Sequence, residues 1–216
     1  MPEENKCPLC SSVQRVSYFS DRNKEFFRCE DCGLVSVPER FHLSGEEEMS
    51  RYDLHENTID NKGYLNFLDR FYKVISNIVN KGSIGLDFGS GPEPVLAGLF
   101  TERGYNISVY DVYYAPDRSV LKKKYDFITI VEVLEHLKNP EKELRMLWEC
   151  LNPGGVIGIM TKFLPVKKGE FSSWSYKNDP THICFYSESV FKWVSKQFNS
   201  KLVFPADDIV LMYKTK

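Results

Sequence analysis

The chain has 216 residues, 42% of them hydrophobic and 27% charged, and a formal net charge of −2. That composition is globular and argues against disorder, and the length suits one full domain with a small module beside it. The charge supplies no global positive field to draw in nucleic acid. No run approaches the roughly 20 apolar residues of a membrane span, and the opening MPEENKCPLC has no apolar signal region, so the cytoplasm is the expected location.

The first element is a cysteine frame. Cys7-Pro8-Leu9-Cys10 is followed by Cys29-Glu30-Asp31-Cys32-Gly33, a C-x2-C, spacer, C-x2-C pattern. Two thiolates three positions apart on a tight turn grip one face of a tetrahedral ion, and a second turn closes the other. The spacer reads as two strands, Arg15–Ser20 and Glu25–Arg28, joined by a turn at Asp21-Arg22-Asn23-Lys24. Residues 1–38 hold little core of their own, so a metal is the expected source of their stability. Paired disulfides are the competing reading, and a reducing compartment disfavours them. Four cysteines saturate a Zn2+ ion, so Cys7, Cys10, Cys29 and Cys32 are expected to form a structural site. Cys150 and Cys184 read as plain buried thiols among apolar neighbours.

Residues 39–82 read as a linker and connecting helices. The acidic run Glu46–Glu48 leads into Arg51-Tyr52-Asp53-Leu54-His55. Tyr64, Phe67, Leu68, Phe71, Val74, Ile75, Ile78 and Val79 then recur at three- and four-residue spacing, the apolar face of a helix stopped at Gly82.

From residue 83 strands and helices alternate. Ile84–Phe88 is a short buried-type strand running into Gly89-Ser90-Gly91-Pro92-Glu93-Pro94 and a helix over Val95–Arg103. Strands follow at Ile107–Tyr110, Asp126–Val131 and Val156–Met160, with a helix between the last two, N-capped by Asn139 with Pro140 at its first position. This pattern implies a parallel sheet covered on both faces, with its ligand beyond the carboxyl ends of the strands. Gly89 and Gly91 let the backbone approach such a ligand, and Asp111 ends the next strand at the edge of the same crevice. A dinucleotide fingerprint wants glycine or alanine where Pro94 stands, and a phosphate-binding P-loop wants a Gly-Lys-Ser/Thr that is absent.

With these residues in view, the chain resembles the class I S-adenosylmethionine-dependent methyltransferases. The matching stretches are Leu86-Asp87-Phe88-Gly89-Ser90-Gly91, Tyr110-Asp111, Tyr125-Asp126-Phe127-Ile128 through Glu132-Val133-Leu134-Glu135-His136-Leu137, and Leu151-Asn152-Pro153-Gly154-Gly155. It looks particularly like bacterial members with a zinc ribbon in front and a D-P-T-H-x-x-F-Y segment behind. The resemblance implies an α/β fold: a Rossmann-like seven-stranded methyltransferase sheet over 83–216, with an N-terminal four-cysteine zinc-ribbon module. Lys201–Phe204 and Asp208–Lys214 would be its final strands, the last antiparallel. It further implies S-adenosylmethionine as cofactor, held by Asp87, Phe88, Gly89, Ser90, Gly91, Asp111, Val112, Glu132 and Val133. Two features depart from the family. Glu93 stands where a third glycine is usual, and the span between Asp111 and Tyr125 is short for a helix and a third strand.

Gly169–Ser187, GEFSSWSYKNDPTHICFYS, follows the strand Val156–Met160 and so is delivered to the crevice mouth. It is read as a substrate lid, with Trp174, Tyr176 and Tyr186 walling an acceptor pocket. Asp179 and His182, with His136, are the candidate catalytic residues, because an oxygen or nitrogen nucleophile needs orienting or deprotonating near neutral pH. Core packing of the rings and structural roles for the two imidazoles are the competing readings. Glu132, Glu135 and His136 also form a candidate divalent-metal trio, Tyr52 and Tyr64 are candidate cofactor covers, and His42 and His55 have no assigned role. A small aromatic or apolar acceptor is expected. RNA is the alternative acceptor, since zinc ribbons precede some ribosomal RNA methyltransferases. A non-catalytic module recruiting a protein partner through the ribbon is the alternative of another class.

Overall fold

The computed structural model describes residues 6–54 and 57–215, so His55 lies outside the described residues. Among the described residues, ten strands fall into two sheets. The smaller contains β1 (Arg15–Ser20), β2 (Glu25–Cys29) and β3 (Val35–Ser36), and takes its fourth strand, β8 (Cys184–Phe185), from the far end of the chain. All its pairings are antiparallel. The β1–β2 turn is held by Asp21, whose carboxylate accepts from the N–H groups of Asn23 and Lys24 at 2.9 and 3.0 Å. Because β3 pairs with β8, residues on both sides of position 83 share one sheet. One hydrophobic cluster runs from Leu9 and Phe26 through Phe171 and Phe185 to Ile128 and Ile157.

The larger sheet has the order β5-β4-β6-β7-β10-β9. Its parallel half is β4 (Ile84–Phe88), β5 (Asn106–Tyr110), β6 (Tyr125–Val131) and β7 (Leu151–Met160). The expected final strands form as β9 (Ser200–Ala206) and β10 (Ile209–Lys214), both pairings antiparallel. The sheet has six strands among the described residues, which corrects the expected seven. Residues 112–124 make a turn closed by an Asp111–Ala115 bridge and a single 3-10 turn, Val120–Lys122. A parallel crossover needs a dozen or more residues before its strand begins, and this span is too short for both.

The two faces of the sheet follow the two-residue period of strands. Phe127, Val156 and Met160 face α2 (Lys62–Ser76) and α3 (Val95–Glu102), while Ile128, Ile157 and Ile159 face α4 (Pro140–Cys150), α5 (Glu188–Phe198) and the ribbon. Helix α2 begins at Asn61, whose side chain accepts from Tyr64 N–H, and buries Leu68, Phe71 and Ile75. It is shorter than its apolar pattern, ending at Ser76. A Cβ on Gly158 of β7 would lie 2.4 Å from Ile75 Cδ1, so the absent side chain is what lets α2 lie close on the sheet. Helix α1 (Gly45–Tyr52) opens with a Ser44–Glu47 capping box. Tyr113 Oη donates to Glu48 and Tyr114 Oη to Asp53, both at 2.6 Å, which ties the start and end of this connector to the loop after β5. No helix among the described residues is long and apolar enough to cross a membrane.

Candidate active site

A cavity of about 640 Å3 opens beyond the carboxyl ends of β4, β5 and β6. One end is built from backbone. Strand β4 runs into Gly89 and Gly91 at φ +78° and +68°, the left-handed region that favours glycine. Gly89 has a second constraint, since a Cβ there would stand 2.3 Å from Val133 Cγ2. A Cβ on Gly91 would meet nothing within 4 Å. Between them, the buried Ser90 Oγ has no hydrogen-bond partner among the described residues.

Asp111 closes this end. One carboxylate oxygen accepts from Gly91 N–H at 3.0 Å, and the other from the N–H groups of Tyr113 and Tyr114 at 2.9 and 3.1 Å. Asp87 is buried and accepts from Thr129 Oγ1 at 2.8 Å. Burial lifts its pKa to about 6, with Thr129 opposing and Asp111 adding to the rise. Phe88 stacks on Tyr110 with ring centres 5.4 Å apart, and Val112 sits exposed on the rim. Glu93 also lines the cavity, and Ile59 N–H of the connector lies 3.4 Å from its carboxylate. Tyr52 and Tyr64, the expected covers, line the cavity. So do Glu48, Phe67, Tyr113, Tyr114 and Arg118, which the sequence reading missed. The signal was available for the tyrosine pair, which follows closely on the strand-ending Asp111.

The opposite end is built from side chains. Glu132 holds a left-handed φ of +52°, rare for a residue with a side chain, and lines the cavity with Val133, His136, Tyr176, Asp179 and His182. The two imidazole rings lie 4.7 Å apart. His136 Nδ1 lies 3.1 Å from Thr181 O, and His182 Nδ1 lies 2.7 Å from Tyr176 O. Burial, then the nearby His136, pushes the His182 pKa down to about 3, so its ring is neutral. Burial alone would raise Asp179. The hydroxyl and N–H of Thr181 overcome it and hold the carboxyl below its usual range. Tyr176 Oη donates to the fully buried Glu135 and lies 3.2 Å from both Glu132 Oε2 and Thr161 Oγ1. Burial and repulsion from Glu135 raise Glu132 to about 8, and burial raises Glu135 to about 7 against its hydroxyl donors.

Two expected pocket residues are corrected. Tyr186 is fully buried, donating to Leu134 O at 3.2 Å and stacked on Phe191 at 5.4 Å. Trp174 packs against Phe171, Tyr176 and Phe185, away from the cavity wall. The reason is the ribbon, whose apolar face needs cover. Phe171 sits edge-on to Tyr18, Phe19 and Phe26 at 5.1, 5.4 and 5.1 Å. Residues 169–187 therefore have two faces: Tyr176, Asp179 and His182 toward the cavity, and most of their rings toward the ribbon or the core.

In the ribbon, the thiols of Cys7, Cys10, Cys29 and Cys32 lie within 4.8 Å of one another. Cys7 and Cys32 are 3.5 Å apart, Cys10 and Cys29 3.4 Å, and none is in a disulfide. Four sulfurs at this spacing fit a tetrahedral zinc with Zn–S bonds of about 2.3 Å. Positive φ at Ser11 and Gly33 closes the two turns. Cys150 and Cys184 are buried outside this cluster, with Leu121 O and Leu137 O as their partners.

A methyltransferase-domain family model matches residues 61–203. No curated protein sequence matches the chain. Among solved structures, the chain is similar to the 1,6-didemethyltoxoflavin-N1-methyltransferase of Burkholderia thailandensis, solved with 1,6-didemethyltoxoflavin and S-adenosylhomocysteine. The TM-score is 0.57 at 13% identity, covering 93% of this chain and 99% of that one. An O-methyltransferase family protein from the same organism aligns with a TM-score of 0.53 at 9% identity, over 78% of this chain and 63% of that one. At such identities the structures speak for the fold alone, a Rossmann-like sheet with flanking helices. The family match covers well over half of the sequence and carries the crevice built by β4, β5 and β6, so this chain belongs to the methyltransferase-domain family and is a methyltransferase.

Proposed function

We propose that the protein transfers the methyl group of S-adenosylmethionine to a small aromatic or apolar acceptor, with a structural Zn2+ held by Cys7, Cys10, Cys29 and Cys32. The observation that carries the cofactor reading is the Gly89–Gly91 loop. It joins an open approach at Gly91, an unpartnered buried hydroxyl on Ser90 and the carboxylate of Asp111 in one corner of the cavity. These groups suit a ligand with ribose hydroxyls and a polar amino-acid end. Val112 and Phe88 offer apolar surface for its base, and Asp87, Glu132 and Val133 border its methionine end. When bound, S-adenosylmethionine supplies an electrophilic methyl group on a positively charged sulfur.

The chain's own residues then have to align an acceptor and keep water out, since in-line displacement gains most from orientation. Tyr176, Asp179, His136 and His182 converge at the acceptor end of the cavity and would orient the nucleophile. The didemethyltoxoflavin enzyme, whose acceptor is a fused heteroaromatic, supports a small-molecule acceptor here. The ribbon (1–38) would brace the acceptor end through Phe171, the connector (39–82) would cover the cavity with Tyr52 and Tyr64, and 83–216 would hold the cofactor. A reducing compartment, the cytoplasm, would keep the four thiols available to zinc.

Titration calorimetry of S-adenosylmethionine and S-adenosylhomocysteine into the zinc-loaded protein tests this reading. Micromolar binding by the wild type, lost in Asp111→Ala with zinc content and thermal unfolding unchanged, is the expected result. A folded, zinc-loaded wild type that binds neither compound would overturn it and favour a binding module built on the same fold.

A further inference from the structure

The ribbon and the cavity meet at a polar joint. The turn Asp21-Arg22-Asn23-Lys24, between β1 and β2, lies against residues 177–182 at sequence separations of 155 to 158. Two lysines cross this joint in opposite directions, and both are buried. Lys177 Nζ reaches out to Asp21 Oδ2 at 3.1 Å and to its neighbour Asn178 Oδ1 at 2.9 Å. Lys24 Nζ reaches in, donating to Asp179 O at 2.6 Å and to His182 O at 3.1 Å.

Both acceptors of Lys24 belong to one turn, Asp179-Pro180-Thr181-His182, which carries the side chains of Asp179 and His182 into the cavity. Bonds within the turn fix its shape: Asp179 Oδ1 accepts from Thr181 N–H and Oγ1 at 2.9 and 2.6 Å, and His182 N–H donates to Asp179 O at 3.2 Å. They do not fix where the turn stands. Beyond it the chain is pinned at Ile183, whose N–H donates to Glu135 O at 2.8 Å and whose carbonyl accepts from Val37 N–H at 2.9 Å. Ahead of that pin, the ribbon's grip on the turn is Lys24. Adhesion alone does not call for an ammonium there, because burying a charge is costly and apolar side chains hold surfaces together without that cost. Burial lowers the Lys24 pKa to about 8, with Lys177 adding to the fall and Asp179 and Asp21 opposing it. The rings around Phe171 already supply the adhesion. What the ammonium adds is direction, since charge-assisted hydrogen bonds are short and oriented while apolar burial is not.

We propose that Lys24 is a positioning residue of the methyl-transfer site: by holding the carbonyls of Asp179 and His182 it sets the place of the turn whose side chains orient the acceptor. The ribbon then takes part in aligning the acceptor as well as in covering apolar surface. A misplacement of about 1 Å at such a group costs on the order of 100-fold in rate, which is the scale on which two directed hydrogen bonds matter. The placement of the turn by Lys24 is independent of the cofactor; its use in alignment rests on the function proposed above.

The test is nuclear magnetic resonance of the full chain, zinc-loaded and without cofactor or acceptor. It reads the Overhauser contact between the rings of His182 and Tyr176, whose centres lie 4.1 Å apart, and amide exchange at Thr181 and His182. Lys24→Met keeps an apolar stem in the buried position and removes the donors. The ring contact is expected to be lost and exchange at the two amides to rise about tenfold or more. Zinc content, thermal unfolding and exchange in 84–91 should stay as in the wild type, because a general loss of stability would spread over the fold. Should Lys24→Met fail to fold, Lys24→Gln is read in the same way, since its neutral amide is too short to hold both carbonyls. A folded, zinc-loaded Lys24→Met with the wild-type ring contact and exchange overturns the proposal. So does failure of both variants to fold, which would make Lys24 a residue of the fold alone. Failure of S-adenosylmethionine to bind would leave this result standing, so the two readings fail separately.

Discussion

The two ends of the cavity are made differently. The glycine-loop end is local: Asp87 to Gly91 are consecutive, and Asp111 ends the neighbouring strand, with β4 and β5 paired Phe88 to Tyr110. Its donors are mostly backbone N–H groups whose positions follow from the strand–loop–helix path. The end proposed to take the acceptor is assembled from Tyr52, the Glu132–His136 turn and residues 176–182, and the last of these are held to a module near the other terminus by Lys24, which donates to the carbonyls of Asp179 and His182. A site made of local backbone survives damage elsewhere; a site made of convergent side chains inherits the stability of everything behind it.

Removing the proposed zinc should separate the ends most strongly. Structural zinc contributes on the order of 10 kcal/mol of apparent folding free energy in small modules. Its chelation, or Cys29→Ser, should release the surface that covers Phe171 and Phe185. Hydrogen exchange is expected to rise in 169–187 well before it rises in 84–91. Uniform loss of protection would break the comparison. Next in size is Phe171→Ala, which empties a fully buried position edge-on to three ribbon rings. A cost of about 3–5 kcal/mol in urea unfolding is expected, with S-adenosylhomocysteine affinity changed less than threefold in the protein that stays folded.

At the other end the sharpest handle is Asp87. With a folded pKa near 6 against an unfolded value near 4, the folded protein keeps a proton that the unfolded chain has released between those pH values. Stability from this group therefore falls as pH rises through about 4 to 6, by about 2–3 kcal/mol in total. Asp87→Asn, which keeps an acceptor for Thr129, should lose that dependence, gaining about 2 kcal/mol over wild type at pH 7 and little at pH 4. An equal gain at both pH values would show that the carboxyl is not carrying a burial penalty. The smallest expected effect is Gly91→Ala. With open space around the added methyl, only the left-handed backbone opposes it, at about 1 kcal/mol.

Legibility followed the same division. The C-x2-C pairs, the alternation of strands and helices and the loop from Asp87 to Gly91 could all be read, because each is short-range chemistry. Departures arose where long-range packing decides. The ring-rich segment 169–187 read as a lid because the ribbon's need for an apolar cover was invisible: nothing in Cys184-Phe185 announces pairing with Val35-Ser36. Trp174 and Tyr186 went with that surface and the core, while Tyr176, Asp179 and His182, interleaved with them, went to the cavity. The short span after Asp111 did signal its missing strand, although the sheet was still counted as seven. Arg118 went unassigned because a side chain on a turn has no periodicity to betray its direction, whereas Tyr113 and Tyr114 were marked by their place just after Asp111 and were passed over.

What the sequence by itself determined was the pair of devices that depend on spacing along the chain. These are four thiols at tetrahedral distance, and a glycine turn that bares backbone N–H groups beside an aspartate. Only the tertiary structure decided the acceptor end. There a strand from the far end of the chain completed the ribbon's own sheet, two imidazoles met 4.7 Å apart, and two carboxyls from one turn closed on a phenol from a distant loop. The physical reason is that burial, not adjacency, selects those neighbours. Which side chains face water and which face one another is settled when distant apolar surfaces find cover.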